Sequence, residues 1–137
     1  MSDNNPVTEG AHHIGLTVPN LTQAQSFFVD ALGFNVLGEV PDYPAVYLSD
    51  GNVIITLWQA TDPQTAQRFD RKNTIGLHHI AFKVDGNEAL DSLHQRLRST
   101  ENVKIEFAPE PMGDGPTHHF TVSMPGGIRI EFIAPAS

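Results

Sequence analysis

The chain has 137 residues and a net charge of −8, and its length and 39% hydrophobic content are typical of one compact globular domain. With only eight Lys and Arg against 16 Asp and Glu, nucleic acid is not expected as a partner, because phosphate binding needs clustered basic residues. No segment reaches the roughly 20 apolar residues of a membrane span, and no cysteine is present to form a disulfide.

The first ten residues are polar and contain no apolar signal-peptide core, so we expect a disordered lead-in and a cytoplasmic protein. The alternation from Ile14 to Val18 predicts a strand. The amphipathic run Leu21–Leu32 predicts a helix with Thr22 as its N-cap and Gly33 as its stop. Three more strands are predicted at Phe34–Val40, Ala45–Leu48 and Val53–Trp58, so residues 11–60 should form a βαβββ module.

A polar linker, residues 61–76, carries the most basic patch of the chain, at Arg68, Arg71 and Lys72. The second module, residues 77–134, repeats the order of the first. Its helix is predicted from about Glu88 to Arg98, with strands at Leu77–Val84, Val103–Phe107, His118–Ser123 and Ile128–Ile133 and a Gly/Pro-rich loop at 108–117. The expected fold class is α+β: two βαβββ modules that form a cup-shaped mixed sheet, with the helices on its outer face.

One sequence pattern occurs at the start of both modules. The segment His12–Val18, HHIGLTV, corresponds to His78–Val84, HHIAFKV. The module ends also align without a gap, residues 50–57 with 125–132, which places Thr56 where Glu131 stands in the second module. Two histidines and one carboxylate therefore occupy repeat-related positions.

Strand parity predicts which side chains share a face. Ile14, Leu16 and Val18 lie on the face expected to pack under the helix, whereas His13 lies on the opposite face, called the cup face below. The same alternation puts His79 and Glu131 on the cup face of the second module. Two imidazoles and one carboxylate, with open positions for water or substrate, suit a catalytic Fe(II), Mn(II), Ni(II) or Zn(II) ion. A single strand histidine is more often structural, but a carboxylate in an apolar strand favours a cation partner.

Other residues of the cup face are candidates for catalysis and substrate binding. His119 is expected to act as a general base or to orient the substrate, although a histidine at the edge of the Gly/Pro loop could equally be structural. Glu131 is expected to contribute to catalysis by anchoring the ion. The predicted substrate pocket is lined by Thr56, Trp58, Thr121 and Arg129.

These motifs resemble the vicinal oxygen chelate superfamily, which includes glyoxalase I, extradiol dioxygenases and bleomycin resistance proteins. The resemblance covers residues 11–134 and rests on His13–Val18, Leu32–Phe34, His79–Phe82 and Pro125–Glu131. It implies paired βαβββ modules around a divalent metal ion that chelates neighbouring substrate oxygens. By the same resemblance His13, His79 and Glu131 take three ligand positions, and Thr56 stands where glyoxalase I enzymes have a fourth ligand.

The resemblance implies a glyoxalase-related lyase or isomerase acting on a small oxygen-rich substrate. Thr17 replaces the arginine that commonly binds glutathione in glyoxalase I enzymes, so the use of glutathione stays open. An extradiol-type Fe(II) dioxygenase is the alternative, although Thr121 stands where those enzymes have a tyrosine. A non-enzymatic drug- or ligand-binding protein of the bleomycin resistance type is a further alternative.

A homodimer is expected, because this family often pairs modules across chains. The site could then combine His13 of one chain with His79 and Glu131 of the other. The sequence leaves open whether the modules pair within one chain or between two.

Overall fold

The computed structural model describes residues 5–135 and confirms the α+β class with the order βαβββ in each module. The first module contains a helix, α1 (Leu21–Ser26), and strands β1 (His13–Val18), β2 (Asn35–Val40), β3 (Ala45–Ser49) and β4 (Ile54–Gln59). The second contains a helix, α2 (Gly86–Arg98), and strands β5 (Ile80–Lys83), β6 (Lys104–Pro111), β7 (His118–Ser123) and β8 (Arg129–Ala134).

The eight strands form two separate four-stranded mixed sheets, one for each module. Their orders are β1-β4-β3-β2 and β5-β8-β7-β6. The first strand of each module is parallel to the last, whereas the remaining neighbours are antiparallel. The two histidine-bearing segments therefore reach the same edge position in the two sheets.

The first helix begins at the predicted Leu21 and ends before Gly33, but its N-cap and the form of its last turn differ from the prediction. It begins one residue after Asn20, whose side-chain oxygen accepts a hydrogen bond from the backbone N–H of Gln23 at 3.0 Å, so Asn20 and not Thr22 is the N-cap. Phe27–Ala31 continues the helix as a π turn, closed by a hydrogen bond from the backbone N–H of Leu32 to the carbonyl of Phe27. This wider turn buries Phe27, Phe28 and Ala31 together.

Two strands of the second module differ in length from their predictions. β5 begins at Ile80, so Leu77, His78 and His79 precede the strand instead of belonging to it. β6 continues to Pro111, into the segment predicted as a loop. Its prolines are tolerated because β6 is an edge strand, and its register against β7 shifts twice.

One apolar core is shared by both modules. Phe28 of the first module is fully buried, and its ring packs edge-on against Phe34 and against Phe82 of the second module, with centroids 5.1 and 6.3 Å away. Phe82 in turn stacks on Phe132 of β8. The helices and the inner sheet faces of both modules thus bury each other.

Two polar or close contacts also join the modules. The Arg96 guanidinium of α2 donates to the backbone carbonyl of Ala31, at the C-terminal end of the first helix, at 3.0 Å. Gly126, with a φ of 98°, lies so close to Pro19 that a Cβ atom there would be 2.8 Å from the Pro19 ring. A side chain at position 126 would therefore push the two modules apart.

Burial confirms the predicted parity of β1. Leu16 and Val18 are buried, whereas His13, Gly15 and Thr17 are exposed on the other face.

Residues 5–10 are exposed and form neither helix nor strand, and residues 1–4 of the predicted lead-in lie outside the described residues. Within residues 5–135, no helix is long and apolar enough to cross a bilayer.

Replacing Phe28 with Ala should lower the free energy of unfolding by about 3 to 5 kcal/mol, because the cavity opens where both modules meet. Urea denaturation followed by circular dichroism measures this loss. Ile75→Ala is the matched control, since Ile75 is fully exposed. An equally small effect of both substitutions would contradict a core shared by the modules.

Candidate metal centre

The Glu131 carboxylate lies between two imidazole rings. Its Oε1 atom is 3.1 Å from Nε2 of His79, and its Oε2 atom is 2.7 Å from Nδ1 of His119. Glu131 is only 8% exposed. Each carboxylate oxygen therefore faces a different histidine, and the carboxylate is almost fully withdrawn from bulk water.

Strand register places these groups. Glu131 on β8 lies opposite Ala81 on β5 and Thr121 on β7, and both neighbours are small. His119 precedes Thr121 by two residues and so shares its face of β7. Small residues beside the carboxylate leave room for the larger imidazoles to reach it, which a bulky residue at either position would prevent.

The two histidine pairs have the same local geometry. Nδ1 of His12 is 2.9 Å from Nδ1 of His13, and Nδ1 of His78 is 2.8 Å from Nδ1 of His79. The rings are edge-on in both pairs, with centroids 5.2 and 5.0 Å apart. This contact occupies Nδ1 of His79 and directs its Nε2 to Glu131, so the first histidine of each pair orients the second.

His119 is oriented from two sides. Nδ1 is the hydrogen-bond donor to Glu131, because an ionised carboxylate can only accept. The ring of Phe107 packs edge-on against the imidazole at 5.1 Å. With Nδ1 protonated, Nε2 is the atom that can accept a proton.

The corresponding part of the first module is neutral and aromatic. The buried Thr56 hydroxyl accepts a hydrogen bond from the Trp58 indole N–H at 2.9 Å. Tyr43 packs edge-on against Trp58 at 4.5 Å, and Tyr47 lies at 6.1 Å. Neither tyrosine is predicted from the sequence to line this face, although Tyr47 pairs directly with Thr56 across β3 and β4.

The structure does not bring His13 together with Glu131. Among residues 5–135, no three His, Asp or Glu side chains converge tightly enough to hold a metal ion. Cavities of about 540 and 460 Å³ lie between the two helices and beneath the linker, and neither is lined by His13, His79 or Glu131. The three residues that the sequence predicts as ligands are thus divided between an exposed edge of the first module and the cup face of the second.

Arg129, predicted to line the pocket, belongs to an ionic network. Its Nε donates to Oε1 of Glu106 at 2.9 Å, and Nη1 of Arg71 lies 3.3 Å from the same oxygen. The Ser123 hydroxyl donates to Oε2 of Glu106 at 2.8 Å. From the sequence, Arg71 is predicted only as part of a basic linker and Glu106 has no predicted role, because nothing local indicates that these residues meet.

The pKa of Glu106 reflects opposing causes. Partial burial raises the pKa of this carboxyl, but the hydrogen bonds from Ser123 and Arg129 and the charges of Arg129 and Arg71 outweigh burial and lower it. The ionised carboxylate is thus the favoured form throughout the neutral range.

Because the folded state lowers the pKa of Glu106, its ionisation stabilises the fold above the ordinary glutamate pKa of about 4.3, and this stability is lost as the pH falls through the lower folded value. Glu106→Gln should therefore be less stable than the wild type at pH 7, with a difference that shrinks on acidification. Urea denaturation over a pH series measures it.

Glu110→Gln is the control, because Glu110 is exposed on the same strand. A difference for Glu106→Gln that stays constant down to pH 2 would show that lost packing, not lost charge, causes it.

Comparisons with known proteins agree with this fold. The chain is 29% identical to human mitochondrial methylmalonyl-CoA epimerase, and the match covers 74% of this chain and 62% of that protein. It is 25% identical to 2-epi-5-epi-valiolone epimerase of an Actinomyces species, and that match covers 93% of this chain and 80% of the relative. A solved glyoxylase/bleomycin resistance protein/dioxygenase domain from Frankia superposes with a TM-score of 0.80 at 21% identity, covering 94% of this chain and 99% of that domain. The family model of the glyoxalase/bleomycin resistance protein/dioxygenase superfamily matches residues 10–132. The chain belongs to this superfamily.

Proposed function

We propose that this protein is a metal-dependent isomerase or lyase that moves a proton beside a carbonyl group of a small substrate with neighbouring oxygens. The observation that carries the proposal is the Glu131 carboxylate held between His79 and His119. The two epimerases among its relatives support the isomerase class.

The donor set suits a divalent ion. Metal bonds of about 2.0–2.2 Å place neighbouring ligands roughly 3 Å apart, and His79 Nε2 and Glu131 Oε1 are 3.1 Å apart. The nearly buried carboxylate accepts a hydrogen bond from His119 and has His79 Nε2 at 3.1 Å, and a cation would offset the cost of burying its charge. His79 would bind through Nε2 with its proton on Nδ1, a tautomer that keeps the contact to His78. Nitrogen and carboxylate ligands of this kind accept Fe, Ni, Zn or Mn.

His119 is the proposed base. The bound ion would polarise neighbouring substrate oxygens and so stabilise negative charge that develops on them. Nε2 of His119 takes a proton from the carbon beside the carbonyl, and the electron pair of the broken C–H bond moves toward the carbonyl oxygen to give an enolate. The protonated imidazole then forms a new C–H bond by giving the proton back to a carbon of this enolate, which completes the product. Glu131 Oε2 stabilises the imidazolium through Nδ1.

Glu131 thus has two separate tasks in this proposal. Oε1 faces His79 and would bind the ion, whereas Oε2 orients the base. A single carboxylate couples the two, so loss of Glu131 should remove both metal binding and proton transfer, and loss of His119 should remove proton transfer alone.

We propose further that a second copy of the chain supplies His13. The shared core fixes the two modules of one chain against each other through their helices, and the described residues hold no complete three-ligand set. His13 is exposed at an edge strand, where the facing sheet of a partner could meet it. In such a homodimer each site would combine His13 of one chain with His79 and Glu131 of the other.

Elemental analysis of protein purified without chelator should find about one divalent ion per chain, and Glu131→Ala should lose it, because no other carboxylate of the described chain contacts His79. His119→Gln should keep the ion and lose turnover by roughly 10²- to 10⁴-fold. Deuterium uptake from D₂O into methylmalonyl-CoA or 2-epi-5-epi-valiolone, the substrates that the relatives' names suggest, is the assay for turnover.

Glu39→Ala is the control for Glu131→Ala, since it removes one exposed carboxylate from the edge strand β2 of the other sheet. Normal metal content in Glu131→Ala would refute the metal site. Metal loss in His119→Gln would make His119 a ligand instead of the base. Iron as the bound ion, together with oxygen consumption on a catechol, would favour the dioxygenase alternative.

Mixing two inactive variants tests the shared site. His13→Ala and Glu131→Ala homodimers should each lack metal, but a mixed dimer regains one intact site, so an equal mixture refolded together should recover about a quarter of the wild-type metal per chain. Recovery of none, with mixed dimers verified by mass spectrometry, would place each site within one chain.

A further inference from the structure

We infer that Arg71 and Arg129 form a binding site for a carboxylate group of the substrate, beside the proposed metal position on the cup face. The inference rests on the proposed function and adds the chemical class of the substrate to it. It also assigns a binding role to Arg71, a residue of the linker between the modules.

The two guanidinium groups converge on one atom. Arg129 Nε and Arg71 Nη1 lie 2.9 and 3.3 Å from the same oxygen of Glu106. Glu106 is itself held by the Ser123 hydroxyl through its other oxygen. Three side chains thus hold the Glu106 carboxylate in place. The carboxylate in turn orients both guanidinium groups before any ligand binds.

The charges at this position do not cancel. Two arginines and one glutamate leave a local charge of +1, in a chain whose net charge is −8. The side chains of Arg129 and Glu106 are 14% and 20% exposed, so the charge lies in partly desolvated surroundings. A local excess of positive charge there attracts an anion.

Most donors of the two guanidinium groups are still available. Arg129 uses only Nε and Arg71 only Nη1 in hydrogen bonds within residues 5–135. Since no buried side-chain nitrogen of this described range lacks a partner, the remaining nitrogens reach solvent. They can donate to an incoming carboxylate without breaking the bonds to Glu106.

The position of the pair relates it to the metal. Arg129 precedes Glu131 by two residues on β8, so both side chains lie on the same face with a Cα separation of roughly 6.7 Å. Side chains on one face of a strand stand roughly parallel, so a short carbon chain would span the two groups. The substrate class is therefore a small acid whose carboxylate stands a few bonds from the pair of oxygens that would bind the ion.

Two matched hydroxamates test this inference by isothermal titration of the metal-loaded protein. Succinic monohydroxamate and butanohydroxamate carry the same two-oxygen chelating head and equal chain lengths, but only the first ends in a carboxylate. The wild type should bind the acid about ten-fold or more tightly than the neutral compound, as expected for a charge-assisted hydrogen-bonded pair. Arg129→Gln and Arg71→Gln should each reduce this preference several-fold, with metal content unchanged.

Arg68→Gln is the control, because this substitution removes the same charge from the same linker. The Arg68 side chain has no contact with Glu106. This variant should keep the full preference. Equal binding of the two hydroxamates by the wild type, or an undiminished preference in Arg71→Gln and Arg129→Gln, would overturn the carboxylate site and leave the metal site standing. Binding of neither compound would instead overturn the proposed function, and this inference with it.

Discussion

Phe28 and Phe82 meet across the boundary between the modules, and much of the remaining structure depends on this contact. Each module has one helix over one four-stranded sheet, which leaves a small core. Packing the two helix layers together gives one larger core in which Phe27, Phe28, Phe120 and Phe132 are buried. Because the inner sheet faces are buried in this core, only the cup faces are accessible to a substrate.

The two cup faces have become chemically different despite their common pattern. In the first module Thr56 binds Trp58, and aromatic rings surround it. In the second, Glu131 occupies the repeat-related position and binds two imidazoles. Equivalent backbone positions of the repeat therefore carry a neutral, aromatic surface in the first module and a charged one in the second.

Charged residues on the second cup face are grouped in two clusters along β8. Glu131 carries a negative charge among histidines, and Arg129, two residues away, is part of a cluster with an excess positive charge. Such an arrangement favours a ligand that is anionic at one end and donates neutral oxygens at the other, because each end then meets charge or dipoles of the opposite sign.

The sequence by itself determined the βαβββ order, the parity of β1 and the family, because these follow from local periodicity and short motifs. It missed what depends on contacts between distant segments. Arg71 and Glu106 are 35 positions apart and meet only because the linker returns to the edge of the second sheet. Asn20 is the N-cap instead of Thr22 through a local hydrogen bond to Gln23, which the sequence also allowed. β6 continues through its prolines because it lies at the edge of the sheet, and that position is fixed only in the folded chain. Tertiary structure likewise decided that the modules join through their helices, since burying both apolar layers together removes more surface from water than either module can bury alone.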